Sequence, residues 1–177
     1  GKVEAQKLLE RRSWDNERLL GSFNEPVKHW LDFFVFTEFV DRDGKYQLKM
    51  LSRSAFSPLA RSMGPMLKEE AFHLGTGHTG LRRIVQAGKI PTEVLQRSLN
   101  HWVPKANDLF GKDASGTAHC AYVWGIKGRF NELETEDAVD KKTLNDYNRT
   151  LYYNECVELM DQLNTVVPAG QQKLVAP

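Results

Sequence analysis

Glu69-Glu70-Ala71-Phe72-His73 is the stretch of this sequence that decides its fold. It lies inside a helical run that begins at Ser57-Pro58 and extends to about Ala87-Gly88, because proline suits a first helical turn and glycine supplies a C-terminal stop. His73 is the third residue after Glu70, so the carboxylate and the imidazole share one face of that helix, one turn apart. This spacing can chelate a metal ion, although a lone Glu-x-x-His arises more often by chance than by function.

A second helix, rich in aromatic residues, precedes this one. We place its start at Pro26, after a connection over Gly21 to Glu25, and extend it through Leu51. Its apolar face is broad enough to be buried on several sides. Two long helices joined by a short turn near residues 55–57 are most simply antiparallel neighbours in a bundle.

Asp41 on the second helix is the candidate partner of the Glu-x-x-His pair. Asp41 lies about fourteen residues before the turn and Glu70 about thirteen after it, so at 1.5 Å per residue both lie about 20 Å from the turn. Thr37 and Gly44, one turn either side of Asp41, are small and leave room for an ion or substrate. The alternative is a surface ion pair between Asp41 and Lys45, and spacing alone gives the two interpretations equal weight.

Other charged residues near these positions are given simpler roles. Glu38 is predicted to form a solvated ion pair with Arg42, four residues later. Glu69 is predicted to lie beside the ligands or to face solvent. His78 is weighed as a contact near the ligands or with substrate, against the commoner fate of a polar residue on a helix surface.

The glycines of Gly75-Thr76-Gly77-His78-Thr79-Gly80 match the dinucleotide-binding pattern G-x-G-x-x-G, but they follow a helical run rather than a strand. We therefore interpret them, Gly77 among them, as permitting close helix approach beside the metal. The aromatic residues Trp102, Trp124, Tyr122 and Phe130 are candidates for a pocket lining, with burial in the core as the commoner outcome.

Helical periodicity dominates the remainder, and no convincing strand pair is present. We predict one domain over residues 1–177, with a helix pair at 26–88 that carries the metal ligands and accessory helices over 89–177. The further elements are a first helix from about Glu4 to Leu20, a helix from Ile90-Pro91-Thr92 that Pro104 kinks or ends, a short apolar segment from Ala118 to Ile126, and a last helix from Glu136 to Val167 closed by Pro168 and Gly170.

Composition excludes several classes of partner. The 177 residues carry 24 basic and 23 acidic side chains for a net charge of +1, without the basic stripe that nucleic acid binding needs. No apolar stretch approaches a membrane span, and no export signal is recognised, so the cytoplasm is the expected compartment. Cys120 and Cys156 are predicted to be buried free thiols. Both ends of the sequence look cut, so we expect a piece of a longer protein.

Several longer segments of the sequence resemble the oxygenase components of benzoyl-CoA 2,3-epoxidases, which are di-iron proteins with a ferritin-like fold. The similarity covers nearly the whole chain. The segments are Phe36 to Lys45, Glu69 to His73, Asn100 to Pro104 and Asp108 to Gly111, with further similarity over Trp14 to Pro26 and Arg149 to Leu174.

The resemblance implies an all-α, partial ferritin-like helical bundle of long antiparallel helices plus additional C-terminal helices. It implies a di-iron centre with Asp41, Glu70 and His73 as ligands from two adjacent helices, and Thr37, Gly44, Glu69, Gly77 and His78 nearby. It further implies that reduced iron uses O₂ to epoxidise the ring of benzoyl-CoA. Electrons in that family come from an NADPH-dependent flavin and iron-sulfur reductase, so a partner protein is implied.

The sequence departs from the family pattern in one respect. It contains a single Glu-x-x-His, and the family's other lone carboxylate and second Glu-x-x-His lie on helices that would precede Gly1. The iron ligand set is therefore incomplete, and the fragment alone is expected to be inactive. Two alternatives stay open: a di-iron oxygenase for another aromatic thioester such as phenylacetyl-CoA, and a non-catalytic ferritin-like scaffold. A homodimer is also left open.

Overall fold

A computed structural model describes residues 2–3, 6, 21–128 and 140–177. Every regular element in these ranges is helical, which confirms the predicted all-α class. None of the described helices has an apolar stretch long enough to cross a lipid bilayer. The elements in chain order are a 3-10 turn Gly21–Asn24, α1 Trp30–Val35, a π-turn Phe36–Val40, α2 Asp41–Leu51, α3 Ser57–Ala87, α4 Thr92–Asp108, α5 Gly116–Val123, a 3-10 turn Lys141–Thr143, and α6 Leu144–Asn164.

The helix formed by α1, the π-turn and α2 packs along α3 in the antiparallel direction. Gly80 of α3 lies against the ring of Phe34, Gly77 against the backbone of Glu38, and Gly44 of α2 against the Glu70 side chain. Positions along one helix therefore rise as those along the other fall. The predicted antiparallel pair is confirmed, and its register places Gly44 beside Glu70.

Helices α4 and α6 pack on the other sides of this central helix and complete the core. The Trp102 ring of α4 meets Phe36 edge-on, with ring centroids 5.1 Å apart. Tyr152 of α6 is fully buried, with its ring 5.4 Å from that of Phe110 and 6.3 Å from that of Tyr46. Aromatic pairs at these distances add to the free energy gained by burial. Two faces of the central helix are thus fixed by different neighbours.

The predicted start of the second helix at Pro26 is wrong by four residues. His29 has extended backbone angles, and its Nδ1 accepts a hydrogen bond from the backbone N–H of Asp32 at 3.3 Å, so the helix begins at Trp30. Side-chain capping of this kind satisfies an N–H that the first turn leaves free. The predicted start of the next helix at Ser57-Pro58 is confirmed: Ser57 is the first residue of α3, and Phe56 precedes it as the cap.

Pro104 lies inside α4, which continues for four further residues, so this proline does not end the helix. The last helix begins at Leu144 and ends at Asn164, inside the predicted limits of Glu136 and Val167. Asp140 stops any earlier start, because its backbone is extended and its carboxylate accepts from the N–H of Lys142. Residues 129–139, and nearly all of the predicted helix from Glu4 to Leu20, lie outside the described residues.

Burial divides the cysteines and aromatic residues that the sequence grouped together. Cys156 is buried as predicted, whereas Cys120 on the short helix α5 is exposed, so that half of the cysteine prediction is wrong. Trp102 is a core residue, whereas Trp124 is 75% exposed. Phe130 lies outside the described residues. The sequence cannot separate these pairs, because α5 contributes no buried residue to the core.

Candidate metal centre

Two helices bring the three predicted ligands to the same height. Asp41 is the first residue of α2, and Glu70 and His73 lie one turn apart near the middle of α3. Gly44, one turn after Asp41 on α2, lies against the Glu70 side chain. The equal distances from the turn that the sequence predicted are therefore matched by the packing of the two helices.

The side chain of Glu70 lies close against the backbone of Gly44. A Cβ atom on Gly44 would lie 3.0 Å from Glu70 Oε1. That oxygen is buried and has no hydrogen-bond partner, while Oε2 lies 3.8 Å from His73 Nδ1. The side chain of Glu70 is 14% exposed and that of His73 is 43% exposed. A buried carboxylate oxygen without a partner is costly, so this site is suited to a ligand that supplies positive charge.

The electrostatics of the pair point the same way. Burial raises the pKa of the Asp41 carboxyl to about 6, although nearby His73 lowers it. Burial raises the pKa of Glu70 to about 7, and the Asp41 charge raises it further, against the lowering effect of His73. Glu70 therefore resists ionising beside an ionised Asp41 unless a cation lies between the two carboxylates. The residues fit a metal ion with oxygen and nitrogen ligands.

The three side chains do not form a closed cluster by themselves. Among the residues that the structure describes, no group of three or more His, Cys, Asp or Glu side chains is gathered tightly enough to hold a metal ion. The roles of Asp41, Glu70 and His73 as ligands therefore stay a prediction. The surface alternative for Asp41 is not found, because Lys45 Nζ donates to both oxygens of Glu155, at 2.8 and 2.9 Å.

Glu38 is the main correction to the predicted site. It does pair with Arg42, at 3.2 Å between Oε1 and Nη2, but the pair is not solvated because Glu38 is fully buried. His78 Nδ1 lies 3.2 Å from the same oxygen, and the other oxygen, Oε2, is buried without a partner. Burial raises the pKa of Glu38, against the lowering effect of Arg42 and His78. His78 is thus half-buried against Glu38 rather than a surface residue.

Gly77 explains why Glu38 is buried. A Cβ atom there would lie 2.7 Å from the backbone nitrogen of Glu38 and 3.0 Å from the carbonyl carbon of Thr37. The backbones of α3 and the π-turn therefore meet at this point and exclude water from Glu38. Close helix approach, the role predicted for these glycines, is confirmed at Gly77. Thr37 is buried at this contact, whereas Glu69 is exposed.

Two further residues support this region, and sequence reasoning missed both. Tyr152 Oη donates to the Phe39 carbonyl in the π-turn at 3.0 Å. Glu155 accepts from Arg42 Nη1 at 2.7 Å and from Tyr46 Oη at 2.6 Å. They lie on α6, more than 100 residues after their partners. Local spacing gives no signal for a contact at that separation. The spacing of Tyr152 and Glu155, one turn apart, is compatible only with the two side chains sharing a face of α6.

Comparison with known proteins identifies the family. The phenylacetic acid catabolic proteins match residues 1–173. Benzoyl-CoA oxygenase component B of Aromatoleum evansii is 42% identical over 158 residues, covering 77% of this chain and 33% of that protein. One of the subunits of the 1,2-phenylacetyl-CoA epoxidase of Escherichia coli (strain K12) is 28% identical over 137 residues, covering 76% of this chain and 43% of that protein.

These matches confirm the resemblance that was found in the longer sequence segments. The chain spans a third of the length of the first relative and less than half of the second. Both relatives carry names that make them parts of multi-component enzymes, since one is called a component and the other is called a subunit. Since the family match extends over nearly the whole sequence, the chain belongs to the phenylacetic acid catabolic protein family.

Proposed function

We propose that this chain is the part of an aromatic acyl-CoA oxygenase that supplies one half of a di-iron site. Asp41, Glu70 and His73 are the iron ligands of this half. The observation that carries the proposal is the Asp41–Glu70 pair: both carboxyls have raised pKa values, and one oxygen of Glu70 is buried without a partner. A cation offsets each of these unfavourable features at once.

The names of the two relatives support the reaction and the substrate class. One is an oxygenase for benzoyl-CoA, and the other is an epoxidase for phenylacetyl-CoA. Benzoyl-CoA is the substrate we propose, because the relative named for it has the higher identity. Phenylacetyl-CoA is the second candidate, favoured by the match to the epoxidase. In either case the product is the ring epoxide of the thioester.

Iron bound at this site would supply the activation of O₂. The chain's own residues hold the ligands in place and keep water out of the space behind them. Gly44 leaves the Glu70 carboxylate room to turn towards Asp41, and Arg42 keeps positive charge near Glu70. Glu38 and His78 fill the next turn of the helix pair and close it to solvent. Preorganised ligands of this kind are how a protein tunes a metal site.

The other ligands and the electrons come from outside the described residues. A second carboxylate and a second Glu-x-x-His, from the remainder of a longer protein, complete the centre. An NADPH-dependent reductase with flavin and iron-sulfur groups delivers electrons. The part names of the relatives support an enzyme of several components, and the reductase itself is our proposal.

The test uses the full-length protein, loaded anaerobically with ferrous iron and supplied with NADPH and a reductase. Benzoyl-CoA and phenylacetyl-CoA are incubated separately under ¹⁸O₂, and the thioester products are weighed by mass spectrometry. We expect one labelled oxygen atom in the preferred product. Glu70→Ala should lower the rate by at least about 100-fold, since it removes a ligand.

Glu69→Ala is the matched control, because Glu69 is the neighbouring carboxylate and is exposed. It should keep the wild-type rate. Iron-loaded protein that inserts no oxygen into either thioester would contradict the proposed reaction. A full-length protein that binds no iron would instead favour the scaffold alternative.

A further inference from the structure

A π-turn over Phe36–Val40 lies directly before the first proposed ligand. At its end the backbone N–H of Asp41 donates to the carbonyl of Phe36, five residues back instead of four. One residue is therefore inserted relative to a regular α-helix, in which each residue turns the chain by about 100°. The direction of Asp41 relative to α1 thus depends on whether this turn is kept.

Side chains hold the turn by two of its carbonyl groups. The hydroxyl of Tyr152, a fully buried residue of α6, donates to the carbonyl of Phe39 at 3.0 Å. The Nε of Arg42 donates to the carbonyl of Glu38, also at 3.0 Å. Both bonds lie in the core, where a hydrogen bond without competing water is strong and its loss leaves a costly unpaired group. The turn is therefore stabilised by built contacts rather than by helix propensity.

Glu155, three residues after Tyr152 on α6, accepts hydrogen bonds from three side chains of α2. Its Oε1 accepts from Arg42 at 2.7 Å and from Lys45 at 2.8 Å, and its Oε2 accepts from Tyr46 at 2.6 Å. Burial by itself would raise the pKa of Glu155, but these donors outweigh it and keep the pKa below its usual range. The carboxylate is thus ionised at neutral pH and binds three side chains of α2 at once.

The contacts that α6 makes with Tyr46 lie on a different face of α2 from the contact between Gly44 and Glu70. Gly44 faces α3 and the Glu70 carboxylate, whereas Tyr46, two residues later, faces α6. Residues two apart on a helix point in nearly opposite directions. The contacts with α6 therefore fix the rotation of α2 from the side that carries Tyr46, and Arg42 and Lys45 connect that side to the neighbourhood of Asp41.

We infer that Tyr152 and Glu155 are positioning residues, which fix the π-turn and α2 and thereby aim the carboxylate of Asp41. Neither hydrogen-bonds to Asp41, Glu70 or His73; each acts through the backbone of the turn or through Arg42. The inference rests on the proposed function, because it takes Asp41 as a metal ligand. Outer partners that orient ligands change metal affinity by roughly 10–100-fold when removed.

The test is a titration of the metal-free, full-length protein with Co(II), whose visible absorption reports its ligand geometry. Tyr152→Phe removes one hydroxyl, and Tyr153→Phe, at the next and exposed position, is its matched control. Glu155→Gln removes one charge, and Glu158→Gln, one turn later and exposed, is its control. Both pairs change the same atoms in different environments.

We expect Tyr152→Phe and Glu155→Gln each to weaken Co(II) binding by about 10-fold and to change the absorption spectrum at saturating metal. The controls should stay within about twofold of wild type. Variants that bind Co(II) as tightly as wild type with an unchanged spectrum would overturn the inference, even if they melt at lower temperature. Should Tyr152→Phe not fold, Glu155→Gln decides the question. A wild-type protein that binds no Co(II) would contradict the proposed function itself, which is a distinct result.

Discussion

Gly77→Ala should weaken the fold at the contact that buries Glu38. The added Cβ would lie 2.7 Å from the backbone nitrogen of Glu38 and 2.9 Å from its Cα. Ordinary contacts begin near 3.4 Å, so the two backbones must part by about 0.7 Å. No flexible side chain can absorb this shift, because the atoms that clash belong to the π-turn backbone.

The expected magnitude follows from two opposing effects. Overpacking of this kind costs about 1–3 kcal/mol, and alanine offsets up to about 1 kcal/mol through its better helix propensity. With the full offset, the net loss in the free energy of unfolding is then up to about 2 kcal/mol. Gly75→Ala is the control, because a Cβ there meets nothing within 4 Å. It should gain about 0.5–1 kcal/mol from propensity alone.

The assay is urea denaturation of the metal-free protein, followed by circular dichroism, with wild type and both variants measured together. The two substitutions are chemically identical and lie two residues apart on α3, so a difference of opposite sign isolates the helix contact. If Gly77→Ala is as stable as Gly75→Ala, the close approach is absent and the burial of Glu38 has another cause.

Three further predictions concern the charged groups. Gly44→Ala should weaken metal binding several-fold without lowering the unfolding free energy, because its Cβ would displace only the Glu70 side chain and alanine gains up to about 1 kcal/mol in helix propensity; Co(II) titration with denaturation measures both. Burial raises the pKa of Asp41 to about 6 and that of Glu70 to about 7. The folded metal-free protein therefore holds more protons than the unfolded chain between about pH 4 and 7. The free energy of unfolding should then fall as pH rises through this window, by about 1–2 kcal/mol after solvent screening. Urea denaturation from pH 5 to 8 tests this, and Glu70→Gln should reduce the slope without abolishing it, because burial also raises the pKa of Asp43 to about 7. Glu38→Ala should cost about 1–3 kcal/mol because it empties a fully buried space and removes one of the two carboxylates that pair with Arg42, whereas Glu69→Ala should stay within about 0.5 kcal/mol; an equal effect of the two would refute the buried pair.

The helix pair was predictable because its signals are local. Proline in the first turn of α3 and glycine at its end, with Gly88 at a φ of 60°, set its limits to within a residue. The start of α1 was not predictable from Pro26, because the capping role of His29 depends on its backbone conformation. Equal distances from the turn then placed Asp41 and Glu70 at one height, and the register agrees.

The surroundings of the site depend on contacts that no local pattern encodes. Glu38 and Arg42 have the spacing of a surface pair, and only the approach of Gly77 from another helix makes it a buried one. The sequence made Lys45 a candidate partner for Asp41, but the Lys45 ammonium group donates to Glu155, 110 residues later. The sequence predicts which residues hold the metal, whereas the residues that orient them follow from packing.

The most direct test of the central claim is iron per chain in the full-length protein after anaerobic loading with ferrous ion. Elemental analysis of wild type, Glu70→Ala and Glu69→Ala gives the comparison. We predict two irons per chain in wild type and in Glu69→Ala, and loss of iron in Glu70→Ala. Wild type without stoichiometric iron, or Glu70→Ala that retains both irons, would contradict the assignment of Asp41, Glu70 and His73 as ligands.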